Sequence, residues 1–440
     1  MFATGLGHET PSMLASICAF MFGMALGAWL FDGRIERSKF PGRWYAALEL
    51  VIGAWALLSI TLIPIANSVA LKLIGVNPSA LRHWFVAFAI PTIALLPATA
   101  AMGATFPAME RFLTSLATHR SVAIVYAANT FGTVAGILLS TFVIAPRIGF
   151  SFTVATLGTI NLLCGVAAWF LFKRTSRNVA TRDQRATNPE LTRHRLLVTM
   201  VVTGLLGIGY EVTGTRVLSQ VLENTIYTFA AVLSIYLLGT ALGAALYHRC
   251  AAARKPTPFL GVLVASTALA CMCGVFALSR AQQLYDFARQ LGDSIIAVLS
   301  AEMFVAAAVF LAPTICMGAT FAHVVQLLRN IGVGTGRAIA LNTFAGALAS
   351  AIFGIALVPA LGSKWTLVIV AAGYATLTPR FNKAALSLVA ASVGLILFLP
   401  ANLHIVNVPP GGRVVSFQEG VMGAVAVVED AQDHRVLRVN

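Results

Sequence analysis

The chain has 440 residues, of which 58% are hydrophobic and only 10% are charged. A soluble globular protein carries about 25% charged residues, so this composition excludes a soluble fold of this size. The formal net charge of +14 would suggest nucleic acid in a soluble protein. Here most Lys and Arg residues lie between apolar runs, where they set membrane orientation. We therefore expect a lipid bilayer, and no nucleic acid, around this chain.

Long apolar runs follow one another along the whole sequence. A helix needs about 20 mainly apolar residues to cross a bilayer, and a helix pairs all its backbone polar groups internally. The runs predict an all-α polytopic membrane protein of about 12 transmembrane helices. The predicted spans are 12–31, 45–68, 84–108, 122–145, 150–172, 196–215, 226–247, 259–279, 298–324, 339–360, 364–378 and 385–401.

Four short motifs of the first half return in order in the second half. Their offsets, 216, 215, 213 and 213 residues, are nearly constant, which indicates an internal duplication. Matching spans run in the same direction, so we predict two parallel repeats related by an axis along the membrane normal. The matches are Gly23/Gly27 with Gly239/Gly243, Met102–Phe106 with Met317–Phe321, Asn129 with Asn342, and Pro146/Gly149 with Pro359/Gly362.

The duplication divides the chain into five predicted segments. Repeat 1 covers 1–172 and lacks a counterpart of its partner's first helix, a basic cytoplasmic linker covers 173–195, and repeat 2 covers 196–384. A final apolar span, 385–402, leads to a tail, 403–440, with two short strands at 423–429 and 435–439. Because Lys and Arg favour the cytoplasmic side, alternation of the spans from the linker places the tail outside.

Polar side chains inside the spans are candidates for a functional site, because an ionisable group in lipid is costly and is usually functional or paired. Glu211, Tyr210 and Arg216 share one helix, where a structural ion pair is the alternative. Glu49 is a second acid, with a partly hydrated interfacial carboxylate as the alternative. The remaining candidates, for which interhelical hydrogen bonds or tight packing are the alternatives, are Asn129, Asn342, Thr105 and Thr320.

Several expected signatures of chemistry are missing from the sequence. The eight histidines are scattered, and the cysteines lack zinc-site spacing, so no metal site is predicted. Neither a P-loop nor a nucleophile elbow is present, so we predict no cofactor and no catalytic residue. The Gly-x-x-x-Gly pairs Gly23/Gly27, Gly132/Gly136 and Gly239/Gly243 are typical of helix packing faces.

The motifs together resemble the membrane region of bacterial fused spermidine synthase-like (polyamine aminopropyltransferase-like) integral membrane proteins. The resemblance is carried by Tyr210-Glu211, Thr215-Arg216, Leu238-Gly239, Met317–Thr320, Leu341–Phe344 and Pro359–Gly362, by their first-copy counterparts, and by the tail 418–440. In that family a duplicated helical region precedes an aminopropyltransferase-like domain, of which the tail would be the truncated start.

This resemblance implies a multi-pass protein of the bacterial cytoplasmic (inner) membrane. Its implied role is a scaffold or substrate-handling module, which is not catalytic by itself because the chain ends before the transferase domain. A downstream-encoded aminopropyltransferase-like domain is the implied partner.

The residues leave a second function open, a secondary transporter of a small solute, with cationic solutes among the options. Its support is the parallel duplication and the intramembrane carboxylates. A tail outside the membrane also conflicts with an enzyme whose donor is cytosolic.

Overall fold

The computed structural model describes residues 9–75, 79–116, 122–172, 192–222, 225–250, 256–290, 292, 294–379, 382–400, 403, 412–421, 423–430, 432 and 434–439. Most of the predicted linker lies outside the described residues. The helices are α1 (Glu9–Arg37), α2 (Pro41–Ile74), α3 (Ala80–Leu116), α4 (Val122–Leu138), α5 (Ala145–Leu171), α6 (Arg193–Leu218), α7 (Ile226–Cys250), α8 (Pro256–Ser279), α9 (Ala281–Arg289), α10 (Ile295–Asn330), α11 (Thr335–Ala351), α12 (Val358–Thr376) and α13 (Lys383–Ile396).

Nine helical runs among the described residues are long and apolar enough to cross a membrane. Two of them, Val125–Leu171 and Thr335–Thr376, are broken at Gly149 and Gly362 and each contain two helices. Counting those separately and adding the shorter α13 gives twelve apolar helices in the described part of the chain, with the short α9 left out of the count. The predicted fold class is confirmed, and so is the predicted location as a multi-pass protein of the inner-membrane type.

Both copies interrupt their last long helical run in the same way. A π-helical segment, Leu139–Ile144 or Ile352–Leu357, joins α4 to α5 and α11 to α12. Soon after each segment a glycine takes a positive φ, 78° at Gly149 and 77° at Gly362, which favours a residue without a side chain. The offset is again 213 residues, so the backbone irregularity itself is duplicated.

In the first copy, α1 and α3 pack closely through small residues. A Cβ added at Gly23 would overlap the side chain of Thr99, and one added at Gly103 would overlap the backbone carbonyl of Met24. Such contacts let two helix backbones approach closely. Helices in a membrane associate largely through close packing of this kind, because in lipid the hydrophobic effect does not drive them together.

The second copy repeats this contact between α7 and α10. A Cβ at Gly239 would overlap the side chain of Thr314, and one at Gly318 would overlap the backbone carbonyl of Thr240. The four residues lie 215 or 216 positions after their first-copy counterparts. The packing prediction therefore holds for Gly23 and Gly239.

The third Gly-x-x-x-Gly pair behaves differently. No described atom lies within 4 Å of a Cβ added at Gly132 or Gly136. Within the described part of the chain, the prediction that this pair forms a packing face is wrong. A Gly-x-x-x-Gly pair shows only that small residues lie on one helix face. Tertiary packing decides whether a neighbouring helix contacts that face.

The chain forms two compact units, which do not follow the predicted repeat boundaries. Unit 1 comprises Met1–Leu205, Ala244–Thr257 and Ala319–Leu348, and unit 2 comprises Leu206–Gly243, Pro258–Gly318 and Ala349–Asn440. The two predicted repeats, 1–172 and 196–384, are defined by similar motifs in the sequence and remain predictions.

The tail forms a three-stranded antiparallel sheet in the order β1 (Arg413–Glu419), β2 (Ala424–Glu429), β3 (Arg435–Val439). The sequence predicted β2 and β3 but missed β1, whose residues are mostly exposed. Glu429 lies buried on β2 between Arg413 at 2.6 Å and Arg435 at 2.9 Å. Hydrogen bonds from Arg435 and Arg413 hold the pKa of the Glu429 carboxyl below its ordinary value.

Helix α13 returns along α12 to the end where α12 begins. Lys364, near the start of α12, donates a hydrogen bond from Nζ to the carbonyl oxygen of Pro400 at 2.7 Å. The tail, which belongs to unit 2, therefore begins near the end of α12 that holds Gly362. The 14 residues of α13 span about 21 Å, less than the length of an average membrane span. The final span, 385–402, remains a prediction.

Candidate functional site

Helix α6 carries three of the predicted site residues, and two of them point into different surroundings. Tyr210 is buried, and its hydroxyl donates a hydrogen bond to the backbone carbonyl of Val309 on α10 at 3.0 Å. Its ring packs edge-on against Phe310, with the centroids 5.6 Å apart. Tyr210 therefore anchors α6 to α10, since both its ring and its hydroxyl are engaged.

Glu211 is half-buried on the neighbouring face of α6. Among the residues that the structure describes, none forms a hydrogen bond or an ion pair with its carboxylate. A carboxylate in the membrane is normally paired or faces a water-filled cavity, because transfer of the charge into lipid is costly. The Glu211 carboxylate is therefore a candidate group for binding a positive charge that the described side chains do not supply.

The surroundings of this face are visible one helical turn earlier, at Gly207. Side chains four residues apart lie on one helix face. A Cβ added at Gly207 would lie 3.4 Å from the Tyr236 hydroxyl, 3.5 Å from the Tyr374 hydroxyl and 3.9 Å from the Met317 sulfur. The Glu211 face is thus bordered, within unit 2, by hydroxyl groups of α7 and α12 rather than by lipid-facing side chains.

Arg216 does not pair with Glu211, so the structural ion pair considered from the sequence does not form. Its guanidinium donates instead to backbone carbonyls, those of Gly354 at 3.4 Å, Val421 at 3.4 Å, and Gly420. Arg216 therefore connects α6 to the tail, and no described cation pairs with Glu211.

The other predicted site residues lie in unit 1. Asn342 on α11 donates a hydrogen bond to the Met200 carbonyl of α6 at 2.9 Å, which is the interhelical role considered for it. Its repeat counterpart Asn129 is exposed. Thr105 donates to the carbonyl of Met102 within its own helix at 2.7 Å, and Thr320 is buried.

Glu49 is half-buried on α2, and its carboxylate interacts with Tyr45, four residues earlier on the same helix. Unlike Glu211, this acid has a partner on its own helix. Of the predicted set, the structure thus brings Tyr210, Glu211 and Arg216 together on α6, and places the remaining five in another unit.

The sequence missed Tyr236 and Tyr374, which border the Glu211 face. Tyr236 stands in the middle of an apolar helix and Tyr374 near the end of one, and a buried tyrosine needs a partner for its hydroxyl. That signal is present in the sequence, but it does not say which helix the hydroxyl faces.

The acids at the basic ends of the helices are paired in an unexpected way. Glu110 directly precedes Arg111 in the sequence, yet each of them pairs with a residue of another helix. Glu110 is buried and pairs with Arg329 at 3.1 Å, while Arg111 pairs with Glu36 at 3.2 Å. Asp32, also buried, accepts a hydrogen bond from the backbone N–H of Gly336 at 3.2 Å. No cluster of three His, Cys, Asp or Glu residues suited to a metal occurs among the described residues.

Comparison with known proteins finds similarity to solved structures only. No model of a known protein family matches the chain, and no curated protein matches it. A solved structure of the major facilitator superfamily proton:xylose symporter XylE, bound to 6-bromo-6-deoxy-D-glucose, matches at 14% identity with a TM-score of 0.37. The match covers 91% of this chain and 97% of that chain.

These comparisons contradict the resemblance to spermidine synthase-like proteins. The comparisons give no evidence for a spermidine synthase-like membrane region, and the similar structure described above is a transporter. The predicted role as a module of an aminopropyltransferase is therefore wrong, and the implied transferase partner and polyamine link are unsupported. Most of the shared motifs, apart from Tyr210-Glu211 and Thr215-Arg216, are short runs rich in small and apolar residues, which helix packing alone can select. At this TM-score nothing about a solute transfers to this chain.

Proposed function

We propose that this protein is a secondary transporter of a small solute, with Glu211 as the membrane-embedded group that binds positive charge. The observation that supports it best is the Glu211 carboxylate, half-buried on an internal helix face with no partner among the described residues. Buried acids of this kind mark ion, proton and solute pathways in transporters. The charge bound by Glu211 belongs either to a cationic solute or to a coupling proton.

The duplication is the second support. Parallel repeats are one of the two arrangements from which transporters are built, and broken helices near the midplane often form their binding sites. Here each copy has a π segment followed by a positive-φ glycine. Such irregular backbone is tolerated at membrane depth where it is enclosed by protein or lines a cavity.

Polar contacts between the two copies in unit 1 are the third support. Arg329 of the second copy pairs with Glu110 of the first, and Gly336 of the second donates to Asp32 of the first. Polar pairs of this kind can form and separate without repacking an apolar core. They provide a reversible closure at the ends of α1, α3 and α10, as alternating access requires.

The test is a transport measurement on the full chain reconstituted in liposomes. Solute-induced currents are recorded on solid-supported membranes for small amines, amino acids and sugars, with and without an imposed pH gradient. We expect a saturable current for one solute class, reduced at least about tenfold by Glu211→Gln because the neutral amide binds no cation or proton. A current that depends on the pH gradient for a neutral solute assigns Glu211 to the proton.

Glu49→Gln is the matched control, since it neutralises a half-buried acid that has its own partner, Tyr45. It should retain most of the current. An unchanged current in Glu211→Gln would contradict the role of Glu211. A full panel without current, from protein that is monodisperse and correctly inserted, would contradict transport.

A further inference from the structure

We infer that the C-terminal sheet, β1–β3, is a lid that is latched over the outer end of unit 2, above the Glu211 face of α6. This goes beyond the proposed function, because it assigns a gating role to the tail. Two groups of polar contacts, one to α6 and one to α12, form the latch.

The first group of contacts is made by Arg216, in the last turn of α6. Its guanidinium donates to the carbonyl oxygens of Gly420 and of Val421 at 3.4 Å, in the turn between β1 and β2. The same group donates to the Gly354 carbonyl at 3.4 Å, inside the second π segment. An arginine fork can hold several acceptors at once, so one side chain joins the sheet, α6 and the irregular backbone.

The second group of contacts is made by Glu419, the last residue of β1. Its carboxylate accepts hydrogen bonds from the backbone N–H of Ser363 at 2.7 Å and from the Ser363 hydroxyl at 3.0 Å. Ser363 directly follows Gly362, the positive-φ glycine of α12. Burial raises the pKa of the Glu419 carboxyl, while the hydrogen bonds from Ser363 and the charge of Arg216 act against that rise.

The contact between the sheet and α12 is part polar and part apolar, and it leaves unfilled space. A cavity of about 220 Å³ remains between the start of α12 and β1, lined by residues that include Gly362, Trp365, Phe417 and Glu419. Most residues of β1, the strand that contacts α12, are exposed, so this strand buries little apolar surface; the buried apolar residues of the sheet, Ala424, Ala426 and Val428, lie on β2. A permanently docked domain would bury an apolar face, because that burial is the main source of stable association. Contacts dominated by hydrogen bonds suit an element that docks and releases.

The position of the latch relative to Glu211 follows from helix geometry. Arg216 lies five residues after Glu211 on one helix, which is about 7.5 Å along the axis. Helix α6 begins with Arg193 and Arg195 at its other end, which identifies that end as cytoplasmic. The lid therefore lies on the outer side, about one and a half turns above the acid.

The test measures access to position 211 rather than transport. In a variant whose native cysteines are replaced by alanine, Glu211→Cys is labelled from outside with a membrane-impermeant methanethiosulfonate, and the rate is followed by peptide mass spectrometry. We expect Arg216→Gln combined with Ser363→Ala to raise the labelling rate roughly tenfold, because the lid population shifts toward release. Arg216→Lys, which keeps the charge but loses the fork, should give an intermediate rate.

A cross-linking arm closes the lid instead. Cysteines at Ser363 and Glu419, joined by a short reducible bifunctional reagent, should suppress labelling at 211, and reductant should restore it. Cysteines at Val427 and Leu437, which face each other across β2 and β3, are the matched control. Oxidation of that pair ties the sheet only to itself and should leave labelling unchanged.

Labelling that is the same in the parent, the unlatched variants and the cross-linked protein would overturn the lid. Because the readout needs no solute, a lid that responds in a protein without transport would leave this inference standing and contradict only the proposed function. Unlatched variants are accepted only when their melting temperature in detergent stays within a few degrees of the parent's.

Discussion

At the residue scale, the same residue type has different consequences depending on its partner. Glu49 is satisfied by Tyr45, Glu110 by Arg329, and Glu211 by no described residue. The sequence identifies each as an acid near or inside a span, but the partner is set by packing between helices far apart in the chain. The difference between a structural acid and a candidate site is therefore a property of the fold.

Removing Arg329 tests this dependence on partners. Arg329→Ala leaves the buried carboxylate of Glu110 without its cation, and losing one partner of a buried pair costs about 3 kcal/mol or more. The melting temperature of the full chain in detergent should fall clearly. Glu36→Ala is the control, because the Glu36 side chain is 39% exposed, and exposed members of ion pairs contribute at most about 1 kcal/mol. Equal losses in both variants would contradict the assignment of Glu110 as the buried member.

At the element scale, the helices associate through backbone contact. Gly103 and Gly318 each sit against a carbonyl group of the neighbouring helix, and neither carbonyl can move without moving its helix. Sequence reasoning could find these glycines because they are duplicated. It could not rank them above Gly132 and Gly136, whose spacing is equally regular.

Alanine substitutions separate the two kinds of glycine. Gly103→Ala and Gly318→Ala should each destabilise the protein by about 1–3 kcal/mol, the cost of overpacking a closely packed contact. Gly136→Ala meets no described atom and should be neutral or slightly stabilising, since alanine is about 1 kcal/mol better than glycine in a helix. Thermal unfolding followed by tryptophan fluorescence measures all three. A loss for Gly136→Ala as large as for Gly103→Ala would show that these contacts do not decide stability.

At the scale of the whole molecule, hydropathy and charge were sufficient to predict the fold class. Bilayer thickness fixes span length, and backbone polar groups permit only helices in such runs. The strand β1 was missed because Arg413–Glu419 is mostly exposed and its pairing with β2 involves no buried alternation. The contacts of Arg216 with the tail were also out of reach, because they join residues about 205 positions apart.

The side on which the tail lies can be tested directly. Arg380 precedes α13 in the sequence, Lys383 is the first residue of that helix, and Lys364 contacts Pro400 where the tail begins. Because the basic flank stays in the cytoplasm, alkaline phosphatase fused after Asn440 should be active in a bacterial host. A green fluorescent protein fused at the same position should be dark. The opposite pattern would place the tail in the cytoplasm and remove the outer lid along with it.

The duplicated π segments also bear on the order of events in the history of this chain. A π segment within a helix contains more residues per turn than the α-helix around it and is rare and costly enough to be kept mainly at functional sites. Two such segments, Leu139–Ile144 and Ile352–Leu357, occupy equivalent places 213 residues apart. Two independent insertions at one equivalent site are far less economical than a single one copied afterwards. The ancestral half-length protein therefore carried this irregular helix before it was doubled, and its use at that site is older than the two-repeat molecule.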